Sequence, residues 1–387
     1  MPVEVVFFNV GQGDCTLLRF YDRGSEEGTH AVLIDCGTTG AVRPLRTPVG
    51  APKGDARKQV VAHLRARLDH YLSRMENPYT LDCVIVTHPD QDHFNLLKDV
   101  LVDGKDMSKL KYTVRQVLYS LSPLDYKEGR EDFVSRLFTQ WEDFSGPSGQ
   151  KIETMPQPVT MPSAPMPLLD RSGANLYLLG GVIGPMSDND VAKYQSGPKE
   201  RIANLSSLVT VVVGDKDASN RHQRVLLMAD AEELNERFLT GYAGNLCTRE
   251  SHLWLKLGHH GSRTSNCNDW IAHTKPDGLF LSTGTTAFGG AAATCDAENI
   301  GSRLLSQWDR VRTTNNIPTP RVGVPSWGFG FQDNTVAPPW KFEYAKLDVG
   351  LFSTLAMPPT PTGIWHGVDW HLRLDHSEPG SYEIWCE

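Results

Sequence analysis

A short apolar segment followed at once by closely spaced histidines and aspartates constrains this chain more than any other feature. Residues Cys83 to Val86 have the composition of a buried strand, and the next seven residues, from Thr87 to His93, read Thr-His-Pro-Asp-Gln-Asp-His. A turn that leaves a strand end can direct both imidazoles and both carboxylates to one point, which a helix cannot do at these spacings. The fold therefore has to bring this segment to the edge of a sheet.

Imidazole and carboxylate groups that converge near a core are costly to bury unless a cation neutralises them. Both groups are ligands of Zn²⁺ and of Mn²⁺. We therefore interpret His88, Asp90, Asp92 and His93 as metal ligands. The alternative is a polar turn in which an aspartate caps the following helix, but such turns seldom combine these residue types.

Two later segments end predicted strands with the same kinds of side chain. The apolar run from Val225 to Ala229 ends at Asp230, and the run from Leu253 to Leu257 is followed by Gly-His-His-Gly at 258–261. Each signal is weak alone, because a strand-end aspartate is usually a turn former and a histidine pair usually lies on the surface. With the first segment, they predict one metal site built from three strand ends.

Apolar runs of strand length and amphipathic helical periods occur in both halves of the chain. Predicted strands lie at 3–10, 15–20, 31–34, 83–86, 114–119, 176–179, 207–213, 225–228, 253–257 and 279–282, and predicted helices begin after Asp55, near Phe133 and near Ile300. This alternation predicts two sheets covered by helices. Residues 146–168 are rich in Pro and Met without a period, which predicts a long loop.

Composition narrows the functional classes. No apolar run approaches the roughly 18 residues that cross a bilayer, and the first residues lack the basic stretch of a secretory signal. The seven cysteines are scattered and form no Cys-x-x-Cys pair, which is typical of reduced thiols. We therefore expect a cytoplasmic protein without a membrane partner. A net charge of −8 is unlike that of proteins that grip nucleic acid along a broad basic surface.

Together these motifs resemble the metallo-β-lactamase fold, and more closely the soluble hydrolase domain of ComEC-type DNA-uptake proteins and its stand-alone relatives. The resemblance is carried by His-x-Asp-x-Asp-His from His88 to His93, by the strand-end Asp230, and by His-His-Gly-Ser from His259 to Ser262. Further matching segments are Asn9 to Asp14, Leu33 to Gly37, Asn204 to Val209 and Gly261 to Ser265. The resemblance covers about residues 3–312.

What the resemblance implies is an α/β (α+β) chain with a four-layer αββα sandwich and a metal site at one edge. On this basis, residues 1–315 form the hydrolase domain, with insertions at about 38–80 and 120–200. Residues 316–387 form a Trp- and Pro-rich C-terminal appendage that contains β structure and packs on this domain.

The resemblance also implies two divalent metal ions per chain, either Zn²⁺ or Mn²⁺. One ion would be held by His88, Asp90 and Asp230, and the other by Asp92, His93, Asp230 and His260, with Asp230 bridging the two. His260 is preferred to His259 as the ligand, because related enzymes place the ligand immediately before the small residue of this motif. His259 would then face the substrate phosphate or protonate the leaving group, and Asp92 or Asp230 would orient the attacking hydroxide.

Six further residues are candidates for roles around such a site. Ser262, Arg263 and Ser265 follow the histidine pair and are expected to contact a phosphate, and Asn204 is expected to contact the substrate or to act as a buried structural amide. Asp14 and Asp35 follow predicted strands near the same edge, where they would either orient the histidine ligands or cap turns.

The activity that the resemblance implies is hydrolysis of phosphate esters, with a phosphodiesterase or nuclease acting on DNA or RNA favoured. Two alternatives stay open. One is a phosphodiesterase that acts on a small substrate such as a cyclic nucleotide or a phosphocholine ester, which the acidic net charge favours. The other is a non-catalytic, metal-bound interaction module. The sequence does not identify any protein partner.

Overall fold

The computed structural model is built on two large β-sheets. It describes residues 2–41, 43–44, 55–126, 132–159, 164–170, 174–180, 203–262, 264–282, 350–353, 366–367, 369–375 and 378–386. The strands within these ranges are β1 (Val3–Phe7), β2 (Thr16–Tyr21), β3 (Gly28–Ile34), β4 (Arg43–Pro44), β5 (Thr80–Val86), β6 (Thr113–Tyr119), β7 (Gln157–Pro158), β8 (Met166–Asp170), β9 (Asn175–Gly180), β10 (Val209–Lys216), β11 (His222–Leu227), β12 (His252–Lys256), β13 (Gly278–Leu281), β14 (Gly350–Ser353), β15 (His366–Gly367), β16 (Trp370–Leu374) and β17 (Tyr382–Cys386).

The helices lie between these strands. They are α1 (Ala56–Leu72), α2 (Gln91–Phe94), α3 (Leu97–Leu101), α4 (Phe133–Thr139), α5 (Glu233–Tyr242), α6 (Gly244–Cys247) and α7 (Asn268–Thr274). The longest, α1, begins as predicted after Asp55, whose side chain accepts a hydrogen bond from the Lys58 amide at 3.1 Å. None of the helices in the described ranges is long and apolar enough to cross a membrane.

The first sheet has the strand order β17-β16-β1-β2-β3-β5-β6-β7, and the second has the order β14-β13-β12-β11-β10-β9-β8. In each sheet an antiparallel part adjoins a parallel part. Strands β3, β5, β6 and β7 are parallel in the first sheet, and β11, β12, β13 and β14 are parallel in the second. Because parallel strands all end at one edge of their sheet, the segments that follow them gather there.

Alternating side chains divide the core into three layers. In β1, Val5 and Phe7 face the second sheet, while Val6 faces the helical layer that contains α1. The Phe7 and Phe280 rings stack across the two sheets with centroids 4.2 Å apart. On the far side of the second sheet, Leu255 packs in the layer that contains α5 and α7. Each fully buried side chain of this size contributes roughly 1.5–3 kcal/mol to stability.

The three core layers lie between four layers of secondary structure, which are helix, sheet, sheet and helix, so the four-layer αββα prediction is confirmed. The predicted strands at 207–213 and 225–228 correspond to β10 and β11, which pair antiparallel. The expected long loop at 146–168 is partly wrong, since β7 and the start of β8 lie within it. The helix predicted near Ile300 lies outside the described residues.

The C-terminal region contains β structure, as expected. Its strands belong to the two sheets, because β16 pairs with β1 and β14 pairs with β13. The division of the chain at residue 315 stays a prediction.

A buried charged group joins the C-terminal strand β16 to the first strands. Glu4 accepts hydrogen bonds from the Arg19 guanidinium at 3.1 Å and from the Tyr21 hydroxyl, and its other oxygen lies 3.2 Å from His371 Nδ1. Burial alone would raise the pKa of Glu4, but the bonds from His371 and Tyr21 and the charges of His371 and Arg19 lower it to about 2. The ionised carboxylate therefore stabilises the native sheet.

We expect Glu4→Gln to destabilise the protein at neutral pH by about 3 kcal/mol. Because the native pKa of Glu4 is below the unfolded value of 4.5, its contribution is complete above pH 4.5 and is lost as the pH falls towards 2. The difference between the urea midpoints of wild type and variant should therefore shrink over this pH range. Glu27→Gln, at an exposed position, is the matched control; an equal effect of the two substitutions would contradict the assignment.

Candidate metal centre

Three strand ends meet at one edge of the sandwich. The segment after β5 carries His88 and His93, the segment after β11 carries Asp230, and a short 3₁₀ turn after β12 carries His260. Sets of side chains whose possible ligand atoms all lie within 4.8 Å of one another are His88, His93 and Asp230; Asp92, His93 and His260; Asp14, Asp230 and His260; and Asp14, Asp35 and His93. The structure thus brings together all three segments.

Asp230 lies at the middle of this cluster and is almost completely buried. Its Oδ1 atom is 3.1 Å from His93 Nε2 and 3.6 Å from His260 Nε2. Its Oδ2 atom is 3.7 Å from His88 Nε2. The two oxygens of one carboxylate therefore face two different sets of imidazoles, an arrangement in which a carboxylate can bridge two cations.

Two further carboxylates, which are more exposed than Asp230, lie beside these imidazoles. Asp90 Oδ2 lies 3.6 Å from His88 Nε2, on the Oδ2 side of Asp230. Asp92 Oδ2 lies 3.4 Å from His260 Nε2, on the Oδ1 side. Side-chain exposure is 29% for Asp90 and 17% for Asp92, against 0% for His88 and His260, so these carboxylates mark the open side of the cluster.

The donor atoms fit a divalent metal. His88 Nε2, His93 Nε2 and Asp230 Oδ1 are buried, and none of them has a hydrogen-bond partner among the described residues. Leaving such atoms unsatisfied costs about 1–3 kcal/mol each. A cation among them would use the nitrogen lone pairs and balance the carboxylates, and neutral imidazole with carboxylate is a donor set that Zn²⁺ and Mn²⁺ accept.

A hydrogen-bonded chain behind the cluster orients two of the rings. Asp35 Oδ2 lies 2.8 Å from His93 Nδ1 and 2.7 Å from Thr87 Oγ1. Because the carboxylate only accepts, Thr87 donates its one hydroxyl hydrogen to Asp35 and can accept from His88 Nδ1, which is 3.1 Å away. This hydrogen bonding keeps hydrogen on Nδ1 of both rings, so that each Nε2 can offer its lone pair to a metal ion that displaces a proton from the cluster.

The turn after β12 separates its two histidines. His259 and His260 have φ values of 46° and 47°, the left-handed region that few non-glycine residues adopt. His260 is buried in the cluster, where its Nδ1–H donates to the Ser282 carbonyl oxygen at 2.9 Å. His259 is 19% exposed, and its Nε2 lies 3.8 Å from Asp230 Oδ2. The buried ring is therefore the better placed ligand, and the exposed ring lies at the mouth.

The carboxylates and imidazoles shift each other's pKa values strongly. Burial lowers the pKa of His260, but the nearby carboxylates, chiefly Asp230 and Asp92, outweigh burial and raise it to about 9. Burial likewise opposes ionisation of Asp230, yet the imidazolium charges of His93 and His260 hold the pKa of Asp230 well below its usual range. Without another cation, protons balance the carboxylates, so a metal ion that binds here must displace them.

A carboxylate that the sequence analysis did not single out holds His259. Glu232 Oε1 lies 3.4 Å from His259 Nδ1 and accepts hydrogen bonds from Thr264 Oγ1 at 3.0 Å and Asn204 Nδ2 at 3.2 Å. Burial is outweighed by these bonds and by the charge of His259, so the pKa of Glu232 is lowered. Its position two residues after Asp230 was the only available signal in the sequence.

The residues expected to contact a substrate differ in their burial and in their hydrogen bonds. Ser262 is half-buried, with its hydroxyl 3.2 Å from that of Thr264, and Arg263 lies outside the described residues. Ser265 is buried and donates to the Gly258 carbonyl oxygen at 2.7 Å, so its hydroxyl closes the histidine turn. A phosphate contact by Ser265 stays a prediction. Asn204 is buried, with its amide nitrogen 3.2 Å from Glu232 Oε1 and 3.5 Å from His259 Nδ1, and both alternatives for its role stay open.

Comparisons with known proteins add little to this geometry. No family model matches the chain, and no curated protein matches it. Among solved structures, the chain is similar to one described as a new diphosphatase from the PhnP family. The two are 10% identical, the similarity covers 73% of this chain and 86% of that chain, and the TM-score is 0.30. At this TM-score the likeness carries no argument, and the assignment depends on the cluster itself.

We expect Asp35→Asn to weaken metal binding about 10- to 100-fold, because the His93 ring loses its charged acceptor. Asparagine suits the site sterically, since Asp35 has a φ of 57° and asparagine tolerates the left-handed region. Competition with a chromophoric chelator measures the Zn²⁺ affinity. Asp82→Asn removes a half-buried carboxylate from the same sheet, where it pairs with Arg115, and should leave the affinity unchanged. Equal affinities of wild type and Asp35→Asn would contradict the orienting role.

Proposed function

We propose that this protein is a metal-dependent hydrolase of phosphate esters that holds two divalent ions, Zn²⁺ or Mn²⁺. The observation that carries the proposal is the position of Asp230, whose Oδ1 faces the buried rings of His93 and His260 while its Oδ2 faces the buried ring of His88. A bridging carboxylate between two such sets is the arrangement that binuclear hydrolases require.

The proposed ligands follow the two sides of Asp230. One ion would be held by His88, Asp90 and Asp230, and the other by Asp92, His93, Asp230 and His260. When bound, two such ions supply a hydroxide at neutral pH and offset the negative charge of a phosphate in the transition state. Asp90, Asp92 and Asp230 contribute three carboxylates to these sets, which favours the binding of divalent cations.

The residues at the mouth would handle the substrate and its protons. Asp92 faces the open side, where it can orient the attacking hydroxide. His259 directs Nδ1 at Glu232 and Nε2 towards the cluster, so Glu232 would orient the ring for Nε2–H to donate a proton to the leaving oxygen. Ser262, together with Arg263, would contact a non-bridging phosphate oxygen.

For the substrate we favour a phosphodiester of DNA or RNA, which the ComEC-type resemblance supports. The net charge of −8 supports a second candidate, a small phosphodiester such as a cyclic nucleotide or a phosphocholine ester. A non-catalytic, metal-bound interaction module is the least supported reading, because such a module has no need for two open ligand sets around one carboxylate.

We expect Asp92→Ala to abolish hydrolysis of bis-p-nitrophenyl phosphate by the Mn²⁺- or Zn²⁺-loaded protein. The substitution removes a ligand and the group that orients the hydroxide, while its partly exposed position predicts little loss of fold. Turnover of the chromogenic ester and the circular dichroism spectrum are measured together. Unchanged turnover would remove Asp92 from the mechanism.

His259→Asn is the companion to Asp92→Ala and removes the proposed proton donor instead of a proposed ligand. It should lower turnover by roughly 100-fold, the usual value of a general acid, while the metal content by elemental analysis stays at that of wild type. Loss of one metal ion in this variant would show that His259 is a ligand and would reverse the roles of His259 and His260.

Salt dependence distinguishes the two substrate classes. Binding of a polynucleotide releases counterions, so its cleavage should weaken steeply between about 50 and 200 mM salt. Hydrolysis of a small cyclic nucleotide should change little over the same range. Rates on single-stranded DNA, RNA and a cyclic nucleotide, measured with the same metal-loaded preparation, would exclude the polynucleotide reading if only the small substrate is cleaved.

A further inference from the structure

A lysine lies between the two sheets, next to a carboxylate that adjoins the candidate metal centre. Lys256 is the last residue of β12, and its side chain continues the face of Trp254, which packs in the layer between the sheets. The Lys256 side chain is only 2% exposed. Its ammonium group forms an ion pair with Asp14 Oδ2, and Asp14 is itself 3% exposed. Lysine is rarely buried to this extent unless a carboxylate pairs with it.

Asp14 connects this ion pair to both sides of the cluster. Its Oδ2 atom is 3.9 Å from His93 Nδ1 in the first sheet's segment, and its Oδ1 atom is 3.8 Å from His260 Nδ1 in the second sheet's segment. These distances are too long for hydrogen bonds, so Asp14 acts on the two rings as a nearby negative charge. Asp14 therefore lies on the Nδ1 side of both rings, whereas their Nε2 atoms face the cluster.

The main chain of Asp14 is tied to the segment that carries two proposed ligands. The Asp14 amide donates to the Asp92 carbonyl oxygen at 3.0 Å. The preceding residue, Gly13, has a φ of 153°, and a Cβ atom there would lie 2.6 Å from the same carbonyl oxygen. This close approach leaves Asp14 little freedom to move independently of Asp92 and His93. Lys256, from the other sheet, therefore holds this segment through Asp14.

The cluster also has more carboxylates than its proposed ligands use. Asp14 belongs to two of the four sets whose atoms could surround a cation. The Lys256 ammonium group offsets the charge of Asp14, which leaves Asp90, Asp92 and Asp230 as the carboxylates available to the two proposed ions.

We infer that Lys256 is a positioning residue for the metal centre: it fixes Asp14 across the sheet interface and thereby holds the His93 and His260 segments at their binding distance before metal arrives. This inference rests on the proposed metal centre but does not require the proposed hydrolysis. Its consequence is that the Lys256–Asp14 pair contributes to metal affinity as well as to stability.

The test removes the pair without leaving a buried charge. Lys256→Met alone would strand the Asp14 carboxylate and risks misfolding, whereas Lys256→Met combined with Asp14→Asn replaces a buried ion pair by neutral groups of similar shape, which proteins usually tolerate. The Zn²⁺ affinity of each folded variant is measured by chelator competition, and the urea midpoint is measured on the metal-free protein. Lys216→Met, at an exposed lysine, is the control for loss of a lysine.

We expect the double variant to have a urea midpoint near that of wild type and a Zn²⁺ affinity at least 10-fold weaker. Asp14→Asn alone, which keeps Lys256, should also weaken the Zn²⁺ affinity at least 10-fold. Adding Lys256→Met to Asp14→Asn should therefore weaken the affinity little further. A folded double variant with wild-type Zn²⁺ affinity would overturn the inference and leave the pair a purely structural contact. Since the readout is metal affinity, a protein that binds metal but hydrolyses no ester would contradict the proposed function and not this inference.

Discussion

The structure around the candidate site depends on one constraint, the burial of a carboxylate among three imidazoles. Asp230 is inside the protein, and the Nε2 atoms of His88, His93 and His260 all face it at 3.1–3.7 Å. In a low-dielectric interior, such a group is stable only if protons or cations balance the carboxylate charge. The raised pKa values of His93 and His260 and the lowered pKa of Asp230 express this balance. A bound metal ion and bound protons therefore serve the same purpose, which is to balance the charge of the buried carboxylate, so metal binding releases protons.

Meeting this requirement takes groups that never touch a metal. Asp35 and Thr87 set the tautomer of two rings, and the Ser282 carbonyl oxygen sets that of the third. Glu232 holds the histidine at the mouth, and Lys256 offsets the charge of the carboxylate behind the rings. In the candidate metal centre, the direction of each of the three buried imidazoles is thus determined by a hydrogen bond on its far side.

Much of this could be predicted from local patterns. Apolar runs predicted strands β1–β3, β5, β6 and β9–β13, and Asp55 predicted the start of the long helix, because these signals act over a few neighbouring residues. Partners such as Glu232 and Lys256 were missed, since neither has a spacing motif and both gain their roles from residues on other strands. Ser265 was assigned to substrate for its place in a motif, and the structure adds that its hydroxyl closes the turn that the motif forms.

The order of the amino acids alone predicts that histidines and aspartates follow three strands, because chemical type and strand ends are local properties of the chain. Folding decides which atoms face one another. The register of parallel strands sets the common edge, and the left-handed turn at His259 and His260 places one ring inside the cluster and the other at its mouth. The pairing of Asp14 with Lys256 joins residues 242 positions apart. Distances and directions of this kind depend on the packing of two sheets, which no short segment encodes.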